Sequence, residues 1–505
     1  MEHASSEQTS PLLGALDLPR PAEHAGNFVA GAERSPLATG RLTVYTPYTG
    51  ASLGSVPHSD SADVAAAVQH ATSAQVAWAR TPIKERSAVL TRFRSLLLEA
   101  LPALSACAAR ECGKTVAEAE AGLLKGVEVL DFALSLQNLD AGGVLTVSRG
   151  VSCEARREPI GVVCGITPFN FPAMVPMWMI PIALVTGNAF ILKPSEKAPF
   201  TSMRIAALLS HAGLAPGLFS VVHGAADTVE HLLAHPDVGA YGFVGSSSAA
   251  RAVYARASAF GKRVLALGGA KNPLVLMPDA DPELSVTGVV ASFTGCAGQR
   301  CMAGSVLLAV GDCDALLRGI VERAGRIALG RDMGALIDAQ AEQRLRSAIA
   351  AGHEQGAVLR LDGRDAQRPE GCARGNFLGP TILDHVLPES VLATEELFGP
   401  LLSIVRVQDL SAALAFEARG SYGNALSVFT SSGAVARRVQ DEAQSGMIGV
   451  NVGVPVPREP FSFGGTKSSR FGHGDITGMG GVELFTQLKK ITTKWAETTD
   501  RSWMS

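Results

Sequence analysis

The pattern of apolar and polar positions divides the chain into regions of different periodicity. Residues 62–140 place apolar side chains, such as Val64, Ala67 and Ala71, at the three- and four-residue spacing of amphipathic helices. Residues 143–163 are rich in β-branched side chains and predict strands. We therefore expect helices at the start of the folded part, followed by strands.

Beyond residue 160 short apolar runs alternate with helical segments. This order predicts a doubly wound parallel sheet with helices on both faces. A second stretch of the same style, from 272 to 450, predicts a second α/β domain. In the first sheet the predicted strands are 161–166, 189–192, 219–222, 240–244 and 263–267, and the predicted helices are 201–211, 228–234 and 246–260.

Residues 172–192 contain no charged side chain and are numerous enough to cross a bilayer. Pro176 and Pro181 would each remove a helix hydrogen bond, and Gly187 and Asn188 interrupt the run. We interpret the segment as a buried helix and strand, and predict no membrane partner.

The composition is that of a globular protein, with 47% hydrophobic and 18% charged residues. The net charge of −3 gives no indication of a nucleic-acid partner. Eight cysteines without a CxxC pair or a nearby histidine cluster predict free thiols and no metal site. Free thiols and the lack of an apolar leader favour a cytoplasmic location, and residues 1–26 are expected to form a flexible tail.

One segment combines cysteine with small residues, GCAGQRC at 295–301. Small neighbours allow the backbone to approach a ligand, and Arg300 could lower a thiol pKa or hold an anion. On these residues alone, Cys301 is equally a reactive thiol or a core residue, and Cys296 is a rival. Similarly, Gly245 and Ser246 precede a helix and could bind phosphate or simply cap that helix.

Five segments resemble the aldehyde dehydrogenase superfamily, in its order and spacing, over roughly residues 27–495. Within it, the chain most resembles the CoA-acylating methylmalonate-semialdehyde (malonate-semialdehyde) dehydrogenases, through 166–179, 298–302, 461–463 and 486–495. The five segments are 168–172 (PFNFP), 192–196 (LKPSE), 242–246 (GFVGS), 298–301 (GQRC) and 395–400 (EELFGP).

This resemblance implies a role for each matching residue. Cys301 would be the nucleophile, and Asn170 with the Cys301 backbone amide would form the oxyanion hole. The remaining matches would bind NAD, with a carboxylate at the adenosine ribose that disfavours NADP. They are Lys193 and Glu196 at that ribose, Ser246 at the pyrophosphate, Glu396 and Phe398 at the nicotinamide end, and Thr167, Phe169, Lys197 and Gly268 along the cleft. As alternatives, Phe169 and Phe398 could be core aromatics and Lys197 a solvated charge.

The chain departs from the superfamily pattern at several positions. Ala266 stands where hydrolytic members carry the glutamate that activates water, and alanine cannot act as a base. The CoA-acylating subfamily also lacks that glutamate. Its substrate carboxylate would meet Arg300, but Lys125 replaces a second arginine and lacks bidentate geometry. Pro273 also stands where the subfamily has histidine.

The resemblance predicts oxidation of methylmalonate or malonate semialdehyde by NAD, release of CO₂, and transfer of the acyl group to coenzyme A. Two alternatives remain. One is an NAD enzyme for another aldehyde, which could be hydrolytic, and the other is a non-catalytic NAD-binding relative. The expected partners are a small aldehyde and CoA.

The resemblance also predicts how the chain is divided and assembled. It implies a homodimer or homotetramer that exchanges a small β flap between subunits. We expect the flap at 146–157 and 483–497, the NAD-binding domain at 27–145 and 158–271, and the catalytic domain at 272–465.

Overall fold

The structure is a computed structural model that describes residues 11–18, 20–139 and 142–495. A 3-10 turn at Gly295–Gly298 supplements the α-helices. The helices are α1 (Pro11–Ala15), α2 (Ser61–Arg80), α3 (Ile83–Glu99), α4 (Leu101–Cys112), α5 (Val116–Leu139), α6 (Met174–Val185), α7 (Phe200–His211), α8 (Ala226–Ala234), α9 (Ser247–Ala259), α10 (Pro282–Thr294), α11 (Asp314–Gly325), α12 (Ala339–Glu354), α13 (Val391–Thr394), α14 (Leu410–Arg419), α15 (Gly433–Glu442) and α16 (Gly478–Phe485).

The strands form two large sheets and three small ones. They are β1 (Glu23–His24), β2 (Asn27–Val29), β3 (Ala32–Arg34), β4 (Arg41–Tyr45), β5 (Ser52–Pro57), β6 (Gly143–Ser148), β7 (Val151–Pro159), β8 (Val162–Ile166), β9 (Ala189–Lys193), β10 (Phe219–Val221), β11 (Val238–Val244), β12 (Arg263–Leu267), β13 (Asn272–Leu276), β14 (Gly304–Val310), β15 (Val358–Leu361), β16 (Thr381–Asp384), β17 (Leu401–Val407), β18 (Tyr422–Gly423), β19 (Ala425–Phe429), β20 (Met447–Val450), β21 (Thr466–Lys467), β22 (Arg470–Gly472) and β23 (Thr486–Lys494).

The first large sheet has eight strands in the order β22-β12-β11-β8-β9-β10-β2-β3. The strands from β12 to β10 are parallel, whereas β22, β2 and β3 pair antiparallel at the two edges. After β8 the chain adds β9 and β10 on one side, and β11 and β12 lie on the other. The strand order therefore reverses at β8 and β11, which is where parallel α/β sheets bind ligands.

The second large sheet has seven strands in the order β15-β16-β17-β14-β13-β19-β20. All neighbouring pairs are parallel except β15 with β16. The predicted α/β class, with a second sheet beyond residue 272, is confirmed. Strands such as β8, β9 and β13 are buried along their whole length, in agreement with their largely apolar sequences.

The uncharged segment 172–192 folds into α6 and leads into β9. Every side chain of α6 from Val175 to Val185 is buried, and Pro181 lies inside the helix. Among the described residues, no helix is both long and apolar enough to cross a membrane. The segment is therefore part of the core, as predicted.

The third sheet consists of β6, β7 and β23, paired antiparallel. Its strands come from the two segments that we expected to form a flap, and residues 496–497 lie outside the described residues. Every side chain of β6 is exposed, including Val144 and Leu145. The proposed domain boundaries remain predictions.

The expectation of a flexible tail over residues 1–26 is wrong for 11–18 and 20–26, the part that the structure describes. Leu16 is completely buried, and the Arg110 guanidinium donates a hydrogen bond to its carbonyl oxygen at 3.3 Å. Glu23 accepts two hydrogen bonds from Arg204, at 3.0 and 2.9 Å. A few apolar side chains fix this segment, too few to give a periodic signal.

Candidate active site

A cleft of about 890 Å³ opens at the carboxyl ends of β8, β9 and β11, where the strand order reverses. It collects residues that are far apart in sequence, because parallel strands deliver their following loops to one edge. Ten of the predicted site residues line it: Thr167, Phe169, Asn170, Lys193, Glu196, Ser246, Gly268, Cys301, Glu396 and Phe398.

Lys193, the last residue of β9, and Glu196, on the loop that follows, form a charged pair. The Lys193 Nζ atom lies 3.3 Å from Glu196 Oε2. Lys193 is buried, and burial lowers its pKa although the Glu196 carboxylate opposes this effect. The pair places both a donor and an acceptor in the cleft, which suits the hydroxyl groups of a ribose.

Ser246 caps the N-terminus of α9, where its Oγ accepts a hydrogen bond from the Ala249 amide at 3.4 Å. The other amides of the first turn have no partner within the helix. Two glycines bring the backbone close to this turn. A Cβ atom at Gly245 would lie 2.6 Å from the Phe243 ring, and one at Gly268 would lie 3.0 Å from the Ser468 carbonyl oxygen. The capping and phosphate-binding interpretations of Ser246 are therefore compatible.

Glu396 lies at the other end of the cleft. Its Oε1 accepts a hydrogen bond from the Ala270 amide at 2.9 Å, and a Cβ atom at Gly269 would lie 2.3 Å from its Oε2. Glycine at 269 therefore leaves room for the Glu396 carboxylate in this position. Burial raises the pKa of Glu396 to about 7, while the Lys271 ammonium group partly offsets the effect.

Phe169 and Phe398 meet edge to face across the cleft. Their ring centroids lie 6.0 Å apart, with an angle of 83° between the ring planes. Phe398 adopts a φ of 58°, which is uncommon for a residue with a side chain. Both rings are half-buried and line the cleft, so they are not simply core aromatics.

The glycine-rich segment before Cys301 has an unusual backbone. Cys296 and Ala297 have φ values of 55° and 51°. Gly298 has a φ of 68°, and a Cβ atom there would lie 2.0 Å from the Gly399 carbonyl oxygen. This backbone leaves Cys296 buried and outside the lining of the cleft, whereas Cys301 is half-buried and lines the cleft. The structure thus distinguishes the two cysteines, between which the local sequence gave no choice.

Three amide side chains hold the segment around Cys301. Asn170 Nδ2 donates to the Gln299 carbonyl oxygen at 2.9 Å. The Nδ2 atoms of Asn272 and Asn424 donate to the Cys301 carbonyl oxygen at 2.7 and 3.0 Å. An amide nitrogen carries two N–H groups, so Asn170 retains one for another acceptor. Asn272 and Asn424 were not predicted, because nothing in the sequence indicates that they reach the cysteine.

The environment of Cys301 favours the neutral thiol. Burial and, to a smaller extent, the nearby Glu396 carboxylate raise its pKa to about 12, although Arg300 and Lys114 have the opposite effect. A thiol with this pKa is a weak nucleophile, so the reaction requires removal of its proton.

A second, smaller pocket of about 280 Å³ meets the cleft at Cys301. Its wall is apolar on one side, where Trp178 and Phe463 pack with ring centroids 4.6 Å apart. Three cationic side chains complete the lining. The residues are Lys125, Phe171, Met174, Trp178, Arg300, Cys301, Met302, Val454, Val456, Arg458 and Phe463.

The two predicted carboxylate-binding residues line this pocket in different ways. Arg300 donates through Nη2 to the carbonyl oxygens of Ala291 and Ser292, the latter at 3.0 Å. The Lys125 Nζ atom lies 2.6 Å from Glu128 Oε2 and 3.7 Å from Glu459 Oε2. Arg300 is thus fixed by the backbone, whereas Lys125 is paired with two carboxylates.

Comparison with known proteins identifies the family. The sequence profile of the "Aldehyde dehydrogenase family" matches residues 35–491. The chain belongs to the aldehyde dehydrogenase family. It is 40% identical over 478 residues to malonate-semialdehyde dehydrogenase 1 of Geobacillus kaustophilus, and the match covers 93% of this chain and 97% of the relative.

Solved structures of this family agree with the sequence comparison. A methylmalonate-semialdehyde dehydrogenase from Oceanimonas doudoroffii has a TM-score of 0.92, with 37% identity, and the match covers 94% of this chain and 98% of that one. A Sinorhizobium meliloti structure in complex with NAD has a TM-score of 0.93, with 38% identity, and the match covers 95% and 99%. The predicted aldehyde dehydrogenase fold is confirmed.

Within this aldehyde dehydrogenase, Lys197 directly follows Glu196, which lines the cleft. The Lys197 Nζ atom pairs with Asp338 Oδ2 at 2.6 Å and lies 5.8 Å from the centroid of the Phe169 ring, which also lines the cleft. The role of Lys197 in cofactor binding therefore remains a prediction.

Ala266 occupies the position at which hydrolytic members of the family were expected to carry a glutamate. Ala266 is completely buried in β12, where it pairs with Phe243 of β11. No carboxylate lines the second pocket, and the acidic residues that line the cleft are Glu196, Glu230 and Glu396. Within the described ranges, no cluster of three His, Cys, Asp or Glu side chains could hold a metal ion.

Proposed function

We propose that this enzyme oxidises malonate or methylmalonate semialdehyde with NAD and transfers the product acyl group to coenzyme A, with release of CO₂. One observation carries the proposal: Cys301 lies where a nucleotide-sized cleft meets a small pocket lined by cations. A mouse relative that is 40% identical over 463 residues is named a methylmalonate-semialdehyde/malonate-semialdehyde dehydrogenase of the acylating type.

The cleft has the donors and acceptors that NAD requires. Glu196 and Lys193 would hold the adenosine ribose, and the Glu196 carboxylate would repel the 2′-phosphate of NADP. The first turn of α9 at Ser246 would bind the pyrophosphate, close to the backbone at Gly245 and Gly268. Glu396 and Phe398, near Cys301, would hold the nicotinamide end. When bound there, NAD supplies the hydride acceptor.

Cys301 carries the covalent step. After the thiol loses its proton, the thiolate sulfur adds to the aldehyde carbon, and the carbonyl oxygen becomes an oxyanion. The remaining Asn170 N–H and the Cys301 backbone amide would donate to that oxyanion. Loss of hydride from the same carbon restores the carbonyl group and leaves a thioester on Cys301.

The second pocket would bind the rest of the aldehyde. The carboxylate of a malonate-type substrate would lie among the cations of this pocket. Two of these cations, Arg300 and Lys125, are the carboxylate-binding residues predicted from the sequence. The thioester carbonyl then sits β to that carboxylate, so the bond to CO₂ breaks and a proton from solvent replaces it. The acyl group that remains on Cys301 is acetyl or propionyl.

The absence of a base at Ala266 favours the thiol of CoA over water as the final acceptor. Water needs a base to attack a thioester at neutral pH, whereas a thiol is an intrinsically stronger nucleophile. The CoA sulfur replaces the Cys301 sulfur at the acyl carbon, and the CoA thiol proton returns to Cys301.

A second candidate is an aldehyde without a carboxylate. The observation in its favour is that Lys125 already has two carboxylate neighbours, Glu128 and Glu459. An uncharged aldehyde would leave these pairs intact.

NADH formation and product analysis test the proposed function. Malonate semialdehyde, methylmalonate semialdehyde and propanal are each supplied with NAD, with and without CoA, to the enzyme and to its Cys301→Ala variant. We expect sustained NADH formation, with acetyl- or propionyl-CoA as the product, from the semialdehydes only when CoA is present. Without CoA, NADH formation should stop after one turnover per active site. A faster reaction with propanal would favour the second candidate, and free acid without CoA would contradict the acyl-transfer step.

We also propose that the enzyme is a cytoplasmic homodimer or homotetramer that assembles through the sheet β6-β7-β23. Val144 is 73% exposed and Leu145 is 67% exposed on the edge strand β6. Such an edge is expected to be covered by a second copy. Light scattering of the enzyme and of a Val144→Lys, Leu145→Lys variant tests this arrangement, since a variant of unchanged mass would contradict it.

A further inference from the structure

A network of four charged side chains lies at the second pocket. Lys125 and Glu128 come from α5, one turn apart, and Arg458 and Glu459 are neighbours on the segment that follows β20. The pairs cross between the two elements: Lys125 with Glu459 at 3.7 Å, and Arg458 with Glu128 at 4.0 Å. These pairs link α5 to the segment after β20, and their two cations, Lys125 and Arg458, line the pocket.

Of the two cations in this network, Lys125 has less positive potential available to a substrate. Its ammonium group contacts Glu128 at 2.6 Å. The second neighbour, Glu459, has a side chain that is only 8% exposed, so it cannot easily move away into water. Two carboxylates close to one ammonium group leave little positive potential for a third.

Arg458 has the opposite character. Its side chain is 82% exposed, lines the pocket, and donates no hydrogen bond to any of the described residues. Its planar guanidinium group can bind a carboxylate through two parallel N–H groups, which Lys125 cannot do.

Glu128 indicates where such a carboxylate would lie. One of its oxygens lies 2.6 Å from Lys125 and the other 4.0 Å from Arg458, so its carboxylate bridges the two cations. The Glu128 side chain is 41% exposed and is free to turn toward solvent. A carboxylate from another molecule could then take its place.

We propose that Arg458 is a specificity-determining residue that binds the carboxylate of the aldehyde, together with Arg300, and that Glu128 competes for the same position. Arg458 thereby supplies the bidentate cation that Lys125 does not. The proposal rests on the proposed function, because it assumes an aldehyde with a carboxylate.

The two sides of this competition predict opposite effects. Arg458→Leu should lower kcat/KM for malonate semialdehyde by about tenfold or more, because it removes a charged hydrogen-bond donor. Glu128→Gln should raise kcat/KM for the same aldehyde by roughly threefold, because it removes a competing charge. Propanal has no carboxylate, so both variants should oxidise it within about twofold of the unmodified enzyme.

The experiment measures kcat/KM for both aldehydes with saturating NAD and CoA. Arg458→Lys should recover part of the loss, since it restores the charge without the bidentate geometry. Arg326→Leu is the matched control, because Arg326 is also an exposed arginine that pairs with one glutamate, Glu322. This control should leave both aldehydes unchanged.

The outcomes separate the two proposals. An unmodified enzyme with no preference for malonate semialdehyde over propanal would overturn the proposed function itself. A preference that persists in Arg458→Leu, or an equal loss for both aldehydes, would overturn the role of Arg458 and leave the proposed function intact. A Glu128→Gln variant with a lower kcat/KM for malonate semialdehyde would contradict the competition.

Discussion

The cleft and the pocket that meet at Cys301 are built in different ways. The cleft takes most of its residues from the carboxyl ends of β8, β9, β11 and β12 and from the loops and helices that directly follow these strands. The pocket combines residue 125, residues 171–178, residues 300–302 and residues 454–463, which no single sheet edge brings together. The parallel sheet therefore positions the residues of the cleft, whereas a pocket assembled from distant segments can change its substrate through a few side chains.

The largest effect on turnover is expected at Cys301, which lines both the cleft and the pocket. Cys301→Ala should lower turnover by more than about 10,000-fold, because the thioester cannot form. NAD binding, measured by calorimetry, should remain close to that of the unmodified enzyme. Cys296→Ala is the matched control and should keep its activity, because Cys296 lines neither cavity. A dead Cys296→Ala variant with an active Cys301→Ala variant would contradict the assignment.

Asn170 belongs to the boundary between the two cavities. Asn170→Ala should lower kcat by about 100- to 1,000-fold, since it removes a donor to the oxyanion. The KM for NAD should change little, because the contact forms only at the reacting carbon. Pre-steady-state NADH formation measures the effect. A variant with normal kcat and a raised KM for NAD would instead place Asn170 in cofactor binding.

The pH dependence of Cys301 alkylation tests how the cleft acts on the thiol. Because the raised pKa keeps Cys301 neutral near pH 7, its alkylation by iodoacetamide should accelerate about tenfold per pH unit from pH 7 to 10. Glu396→Gln removes a nearby negative charge and should lower the thiol pKa, which makes alkylation faster above pH 7. Below pH 7 the difference should shrink, because Glu396 itself becomes protonated there.

The site of alkylation is read by mass spectrometry of the peptide that contains Cys301. The unmodified enzyme should show this modification, and the Cys301→Ala variant supplies the background from the other cysteines. Rapid alkylation that is independent of pH would mean that the thiolate is already present, contrary to this account.

The smallest effect concerns the choice of cofactor within the cleft. Glu196→Gln should raise the ratio of kcat/KM for NADP over NAD by about tenfold, because it removes repulsion of the 2′-phosphate. Glu85→Gln serves as the control, because Glu85 is an exposed carboxylate of α3 that does not line the cleft, so this variant should leave the ratio unchanged. An unchanged ratio in Glu196→Gln would contradict the placement of this carboxylate at the adenosine ribose.

The difference between the cavities also explains how much of the site could be predicted. Residues of the cleft follow buried strands within short motifs, so Asn170, Lys193 and Ser246 could be located from sequence. Asn272 and Asn424 could not, because no motif indicates that they reach the Cys301 carbonyl oxygen. Arg458 lies on an irregular segment, and only the folded chain shows that it reaches α5.

The fold shows the same limit. Long apolar runs determine β8, β9 and α6, and the sequence pattern located all three. The N-terminal segment depends on single side chains such as Leu16, together with its contact to Arg110, and no periodicity reveals those. Continuous apolar strands are therefore predictable, and contacts made by isolated side chains are not.

The most direct test of the account is the fate of the acyl group on Cys301 when CoA is withheld. The enzyme is mixed with NAD and malonate semialdehyde, and its intact mass and NADH yield are measured together. The account predicts one NADH per active site and a stable acetyl group on Cys301, which CoA then removes. Continuous NADH formation without CoA, with Cys301 unmodified, would contradict it.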